Sequence, residues 1–96
     1  MAETGYIKVV RKKELYGMFR SYEILLNEEL AGKLPRGKEL VLEVPAGTHT
    51  LQNKMDWIVT DPLKVEVSAG ETAVFQVGGK VKGIADQDIH MIRLEE

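Results

Sequence analysis

Glu39-Leu40-Val41-Leu42-Glu43-Val44-Pro45-Ala46-Gly47-Thr48-His49-Thr50-Leu51 reads as a strand, a sharp turn and a second strand. Leu40, Leu42 and Val44 alternate with Glu39, Val41 and Glu43, the period of two that a half-buried strand requires. Pro45 has a fixed φ and no N–H to donate, so it suits the end of that strand and not its middle. Gly47 takes a positive φ without steric penalty, which lets the chain reverse. The alternation then resumes: His49, Leu51, Asn53, Met55 and Trp57 are expected on one face, Thr48, Thr50, Gln52 and Lys54 on the other.

The same pattern extends in both directions. Upstream, Pro35-Arg36-Gly37-Lys38 is a turn by composition. Leu30 to Leu34 is a short strand returning from a turn at Asn27-Glu28, since Asn tolerates the left-handed region. Leu15 to Leu30 also fits the spacing of an amphipathic helix, but Gly17 would cost about 1 kcal/mol in a helix interior. The reading is therefore a loop to about Phe19 and a strand over Ser21 to Leu26. Tyr6 to Arg11 is β-branched and alternating, a first strand, and Arg11-Lys12-Lys13 forms a basic tip. Downstream, Trp57 to Pro62 is a connection. Leu63, Val65 and Val67 alternate cleanly, Ala69-Gly70-Glu71 turns the chain, and Ala73, Phe75 and Val77 alternate again. Gly78-Gly79 ends that strand, Lys80 to Gln87 reads as a loop or weak hairpin arm, and Ile89 to Leu94 is a last strand.

Seven to eight short strands with turn signals between them imply a single all-β domain, an antiparallel β-sandwich of the prealbumin or immunoglobulin kind, or a small barrel. The expected core is Ile7, Val9, Tyr22, Ile24, Leu26, Leu40, Leu42, Val44, Leu51, Leu63, Val65, Val67, Phe75 and Val77. A chain of 96 residues is one domain and buries roughly 60–65% of its unfolded surface, enough for one core without staples.

The bulk numbers remove several functions. A formal net charge of -2 exerts no general pull on nucleic acid or an anionic membrane. The absence of cysteine removes disulfides, thiolate metal sites and cysteine nucleophiles. Met1 to Gly5 lacks a basic segment followed by an apolar run, and no apolar stretch approaches the roughly 20 residues of a membrane helix. The expected location is cytoplasmic, or envelope-associated if the chain is a piece of a longer protein.

With the strands placed, Ser21-Tyr22-Glu23-Ile24-Leu25-Leu26-Asn27, Leu30-Ala31-Gly32-Lys33-Leu34 and the segment from Leu40 to Leu51 with its Pro-x-Gly-x-His-x-Leu step resemble PEGA-type domains. They are also similar to small bacterial β-sandwich domains of lipoproteins and envelope proteins. Val65-Glu66-Val67-Ser68-Ala69-Gly70-Glu71-Thr72 matches the strand, Ala-Gly-Glu and strand step that follows in such domains. The resemblance covers roughly residues 5–78 and implies a transthyretin-like or carboxypeptidase-regulatory-like sandwich that binds or spaces and does no chemistry. Residues 79–96, a loop plus a C-terminal strand, fall outside it, and no lipoprotein signal accompanies it.

No catalytic, cofactor or metal-binding residues are assigned from the sequence. His49 and His90 are the only histidines, and no His-x-His or His-x-x-x-His spacing exists for a metal. Asp86 and Asp88 lack the ligand spacing of a calcium loop. Neither serine at 21 or 68 has a nucleophile-elbow context, and Gly78-Gly79-Lys80 lacks a phosphate-binding frame. The basic patches Arg11-Lys12-Lys13 and Arg36-Gly37-Lys38 are diluted by Glu14, Glu28 and Glu29, which disfavours nucleic acid. Trp57 is expected to cover the core. The expectation is a non-enzymatic interaction or structural module that contacts a protein partner or itself, with the apolar last strand, Ile89 to Leu94, as a covered or self-pairing edge. The alternative is a carbohydrate or small-molecule module using the loop end near His49 and Trp57.

Overall fold

The computed structural model describes residues 3–11, 21–55, 58–82 and 86–94. They form nine strands: β1 (Thr4–Arg11), β2 (Tyr22–Leu26), β3 (Glu29–Leu34), β4 (Glu39–Pro45), β5 (Gly47–Met55), β6 (Ile58–Val59), β7 (Leu63–Val67), β8 (Thr72–Lys82) and β9 (Asp86–Leu94). A four-stranded sheet runs in the order β4-β1-β8-β9, and a five-stranded sheet in the order β3-β2-β5-β6 with β7 also on β5. The inner faces of both sheets merge into one core, so the expected sandwich is present. The ninth strand is the two-residue β6, which lies inside the connection expected from Trp57 to Pro62. The ambiguous segment from Leu15 to Phe19 lies outside the described residues. No helix among the described residues is long and apolar enough to cross a membrane.

The two strands of the opening stretch do not pair with each other. β4 is an edge strand of the four-stranded sheet, on β1, with Leu42 opposite Ile7. β5 is central in the other sheet, between β2 on one side and β6 and β7 on the other. The turn at Ala46 and Gly47 (φ 142°) therefore carries the chain across the sandwich. Alternation reports which face of a strand is buried and says nothing of which strand lies beside it.

One pair departs from the expected antiparallel pattern. β1 runs parallel to β8, from Tyr6 opposite Thr72 to Arg11 opposite Val77. The β7–β8 turn docks directly on the start of β1. The Tyr6 N–H donates to the Glu71 carbonyl and the Gly70 N–H to the Thr4 carbonyl, both at 2.8 Å. Gly5 permits this approach, because a Cβ there would lie 2.8 Å from the Ser68 carbonyl oxygen and collide with Val67.

Of the two readings of Lys80 to Gln87, a loop or a weak hairpin arm, the structure shows the hairpin arm. β8 continues to Lys82 and β9 begins at Asp86, in register from Val74 opposite Leu94 to Lys82 opposite Asp86. The glycines at 78 and 79 do not end the strand, because the pairing with β9 carries the backbone through them.

Ile7, Val9, Tyr22, Ile24, Val44, Leu51, Val65, Val67, Phe75 and Val77 are buried as expected. Leu34, Met55, Ala73 and Ile89 join them, while Leu26, Leu40, Leu42 and Leu63 pack half-buried at the margin. Each fully buried side chain of the size of Ile7, Leu51 or Phe75 contributes about 1.5–3 kcal/mol of transfer free energy. Arg11 is a correction to the basic tip. It ends β1 only 1% exposed, with its guanidinium carbon 4.5 Å from the centre of the Tyr22 ring and Nη1 donating to the Leu34 carbonyl at 3.1 Å. Lys12 and Lys13 lie outside the described residues.

Candidate functional site

His49 projects from the inner face of β5, 9% exposed. Its Nε2 lies 2.7 Å from the Pro45 carbonyl oxygen, and its Nδ1 lies 3.0 Å from Asn27 Nδ2. A carbonyl only accepts, so Nε2 carries the proton and donates. Asn27 is oriented by its other end, because its Oδ1 accepts the Thr50 N–H at 2.9 Å. Asn27 Nδ2 therefore donates to His49 Nδ1, and the ring is fixed in one neutral tautomer. The ring braces the corner at Pro45 against the β2–β3 turn and has both nitrogens engaged.

The β2–β3 turn supplies the other half of this latch. Asn27 (φ 51°) and Glu28 (φ 71°) both sit in the left-handed region, as the two central residues of a type I′ hairpin must. Asn27 suits that position, and its own N–H donates to the Thr50 carbonyl at 2.9 Å. Glu28 has no glycine-like freedom and holds its conformation at a cost of about 1–2 kcal/mol.

Four residues along β5, Asn53 occupies the same inner face at 0% exposure. Its backbone is fully used: the Asn53 N–H donates to Thr60 Oγ1 at 3.1 Å, and the Thr60 N–H donates to the Asn53 carbonyl at 3.0 Å. Its side chain is not. Neither Oδ1 nor Nδ2 has a hydrogen-bond partner among the described residues. Alternation placed Asn53 on the core face of β5, but no sequence signal marks its amide as unpartnered.

Trp57, the other residue expected beside a ligand, lies outside the described residues. The residues that follow it do line a cleft of about 460 Å³, between Ile58, Thr60 and Leu63 on one side and Ile89 and Met91 of β9 on the other. His49 is not among its walls. The cleft opens at the seam where β6 and β9, edge strands of the two sheets, face each other.

The outer face of the four-stranded sheet is mixed. The register aligns Val41, Lys8, Val74 and Leu94 in one row, and Glu39, Val10, Gln76 and Ile92 in the next. Val41 and Ile92 are 54% and 48% exposed. Lys8 Nζ lies 3.3 Å from the Glu39 carboxylate, an exposed pair worth about 0–1 kcal/mol. Asp86, Asp88 and His90 fall within β9. Among the described residues no group of three or more His, Asp or Glu side chains is placed to hold a metal ion. Comparison with protein-family models, curated proteins and solved structures finds no match for this chain.

Proposed function

We propose that this chain is a non-enzymatic interaction module that contacts a protein partner, or a second copy of itself, by adding a strand to the open edge of β9. The observation that carries this reading is the contrast between β9 and the other edges. β4 ends in Pro45 and presents Glu39 and Glu43. β3 carries a register irregularity opposite Ile24 and Leu25, β6 has two residues, and β7 is preceded by Pro62. Short strands, prolines, bulges and charges are the devices that blunt an edge. β9 carries the charges of Asp86, Asp88 and Arg93, but it is nine residues long with neither proline nor glycine, and its outer row includes the half-exposed Ile92. An extended partner would gain main-chain hydrogen bonds there and apolar contact with that row. The turn and strand motifs shared with PEGA-type domains support a binding or spacing role. His49 points the same way, since its ring nitrogens are spent on the fold.

Sedimentation over a wide concentration range tests the self-pairing form. The wild type is expected to associate as concentration rises, and Ile92→Lys to remain a monomer with an unchanged circular-dichroism spectrum. A wild type that stays monomeric throughout removes self-pairing and leaves only a different partner.

One observation favours a small-molecule reading. The seam cleft falls in the range of roughly 300–1,000 Å³ typical of ligand pockets, and its apolar wall starts at Ile58, next to Trp57. Titration with neutral monosaccharides, followed by the methyl resonances of Ile58 and Met91, would move those signals if the cleft is the site.

A further inference from the structure

Burying an amide with no partner is unfavourable, and the penalty disappears when water reaches it. Asn53 is in that position, with both side-chain polar atoms unpartnered among the described residues and no exposed surface. Its location matters as much as its state. β5 and β6 approach β9 across the sandwich. Thr60, which bonds the Asn53 backbone, lines the seam cleft that Ile89 and Met91 close from the β9 side. β9 is the edge of its sheet and pairs there only with β8, with one further tie from the exposed Arg93 to Glu71 at 3.9 Å. From Gly78 onward β8 has no described partner other than β9, since β1 ends opposite Val77.

We infer that β9 is a detachable strand: the seam between β6 and β9 opens locally without unfolding the rest, because opening it hydrates the Asn53 amide. The closed state buries the amide without a protein partner among the described residues, and the open state exposes it to bulk water. The same movement uncovers Ile89 and Met91, the inner-face residues of β9. The rest of the core does not share this weakness. β1 is flanked by β4 and β8, and its inward Ile7 and Val9 are fully buried. Segments with weak cooperative ties open at lower free energy than the whole molecule, and hydrogen exchange reads the difference. The inference stands apart from the partner proposed above, since it concerns the isolated chain.

Amide hydrogen exchange, under conditions where the rate reports the opening equilibrium, tests it on the wild type and on Asn53→Val. In the wild type the β9 amides bonded to β8 are expected to exchange at least about tenfold faster than the β1 amides bonded to β4 and β8. Asn53→Val removes the buried amide, and should slow exchange of those β9 amides by roughly tenfold. Two results would overturn the inference. One is β9 amides as slow as those of β1 in the wild type, an arm that needs no variant to fold. The other is Asn53→Val protecting β1 while leaving β9 unchanged, which would mean that opening β9 does not hydrate position 53.

Discussion

His49 and Asn53 stand on one face of one strand, four residues apart, and meet opposite fates. On that face His49 precedes Leu51, and Asn53 stands between Leu51 and Met55. The imidazole of His49 finds a carbonyl on one side and an amide donor on the other. The amide of Asn53 finds neither among the described residues. The pair shows that a polar residue on a core face has no fixed meaning. It is a staple where a turn brings the complementary group to it, and a weak point where none arrives. The turns decide: Pro45 and Asn27 belong to two reversals that converge on His49, whereas the bonds made at Asn53 are those of its own backbone to Thr60.

Substitutions on this face should therefore act with opposite signs. His49→Leu removes the bonds to the Pro45 carbonyl and the Asn27 amide, and is expected to cost about 1–3 kcal/mol in equilibrium denaturation, the net worth of two hydrogen bonds. A loss below half a kilocalorie would show that the latch is not stabilising. Asn53→Val keeps a similar volume and removes two unsatisfied atoms, so it should gain about 1–2 kcal/mol. If it destabilises instead, the amide has a partner, and the contrast with His49 disappears. Glu28→Gly acts beside the latch without touching it. It relieves a left-handed φ at a type I′ position and should raise stability by about 0.5–1 kcal/mol, less than the full strain because glycine also frees the unfolded chain. An unchanged denaturation midpoint would place the strain elsewhere.

Much of the fold was legible because burial imposes a period of two. The buried faces of β1, β4, β5, β7 and β8 follow directly from alternation, and the turns at Asn27-Glu28, Pro35 to Lys38 and Ala69-Gly70 from local φ preference. Neighbour relations were not legible. Nothing in Ile7 or Phe75 states that β1 and β8 run parallel, and nothing in Leu42 or Leu51 states that β4 and β5 belong to different sheets. Those facts arise from long-range pairing. Gly78-Gly79 misled in the other direction, because pairing with β9 outweighs the weak strand preference of glycine. The candidate site was legible only in part. Alternation put His49 on the inner face just after the turn, but its bonds to Pro45 and Asn27 required the chain reversal at Gly47 and the β2–β5 register.

The parallel contact between β1 and β8 also governs when the molecule can assemble. Tyr6 and Thr72 lie side by side with most of the chain between them, and closing so long a loop must come before any contact there rewards it. During synthesis the first strand leaves the ribosome long before its neighbour exists. Meanwhile the β2–β3 hairpin, whose partners are adjacent in sequence, can already form. The four-stranded layer is thus a late product of folding, and it waits for β8 and β9 to arrive.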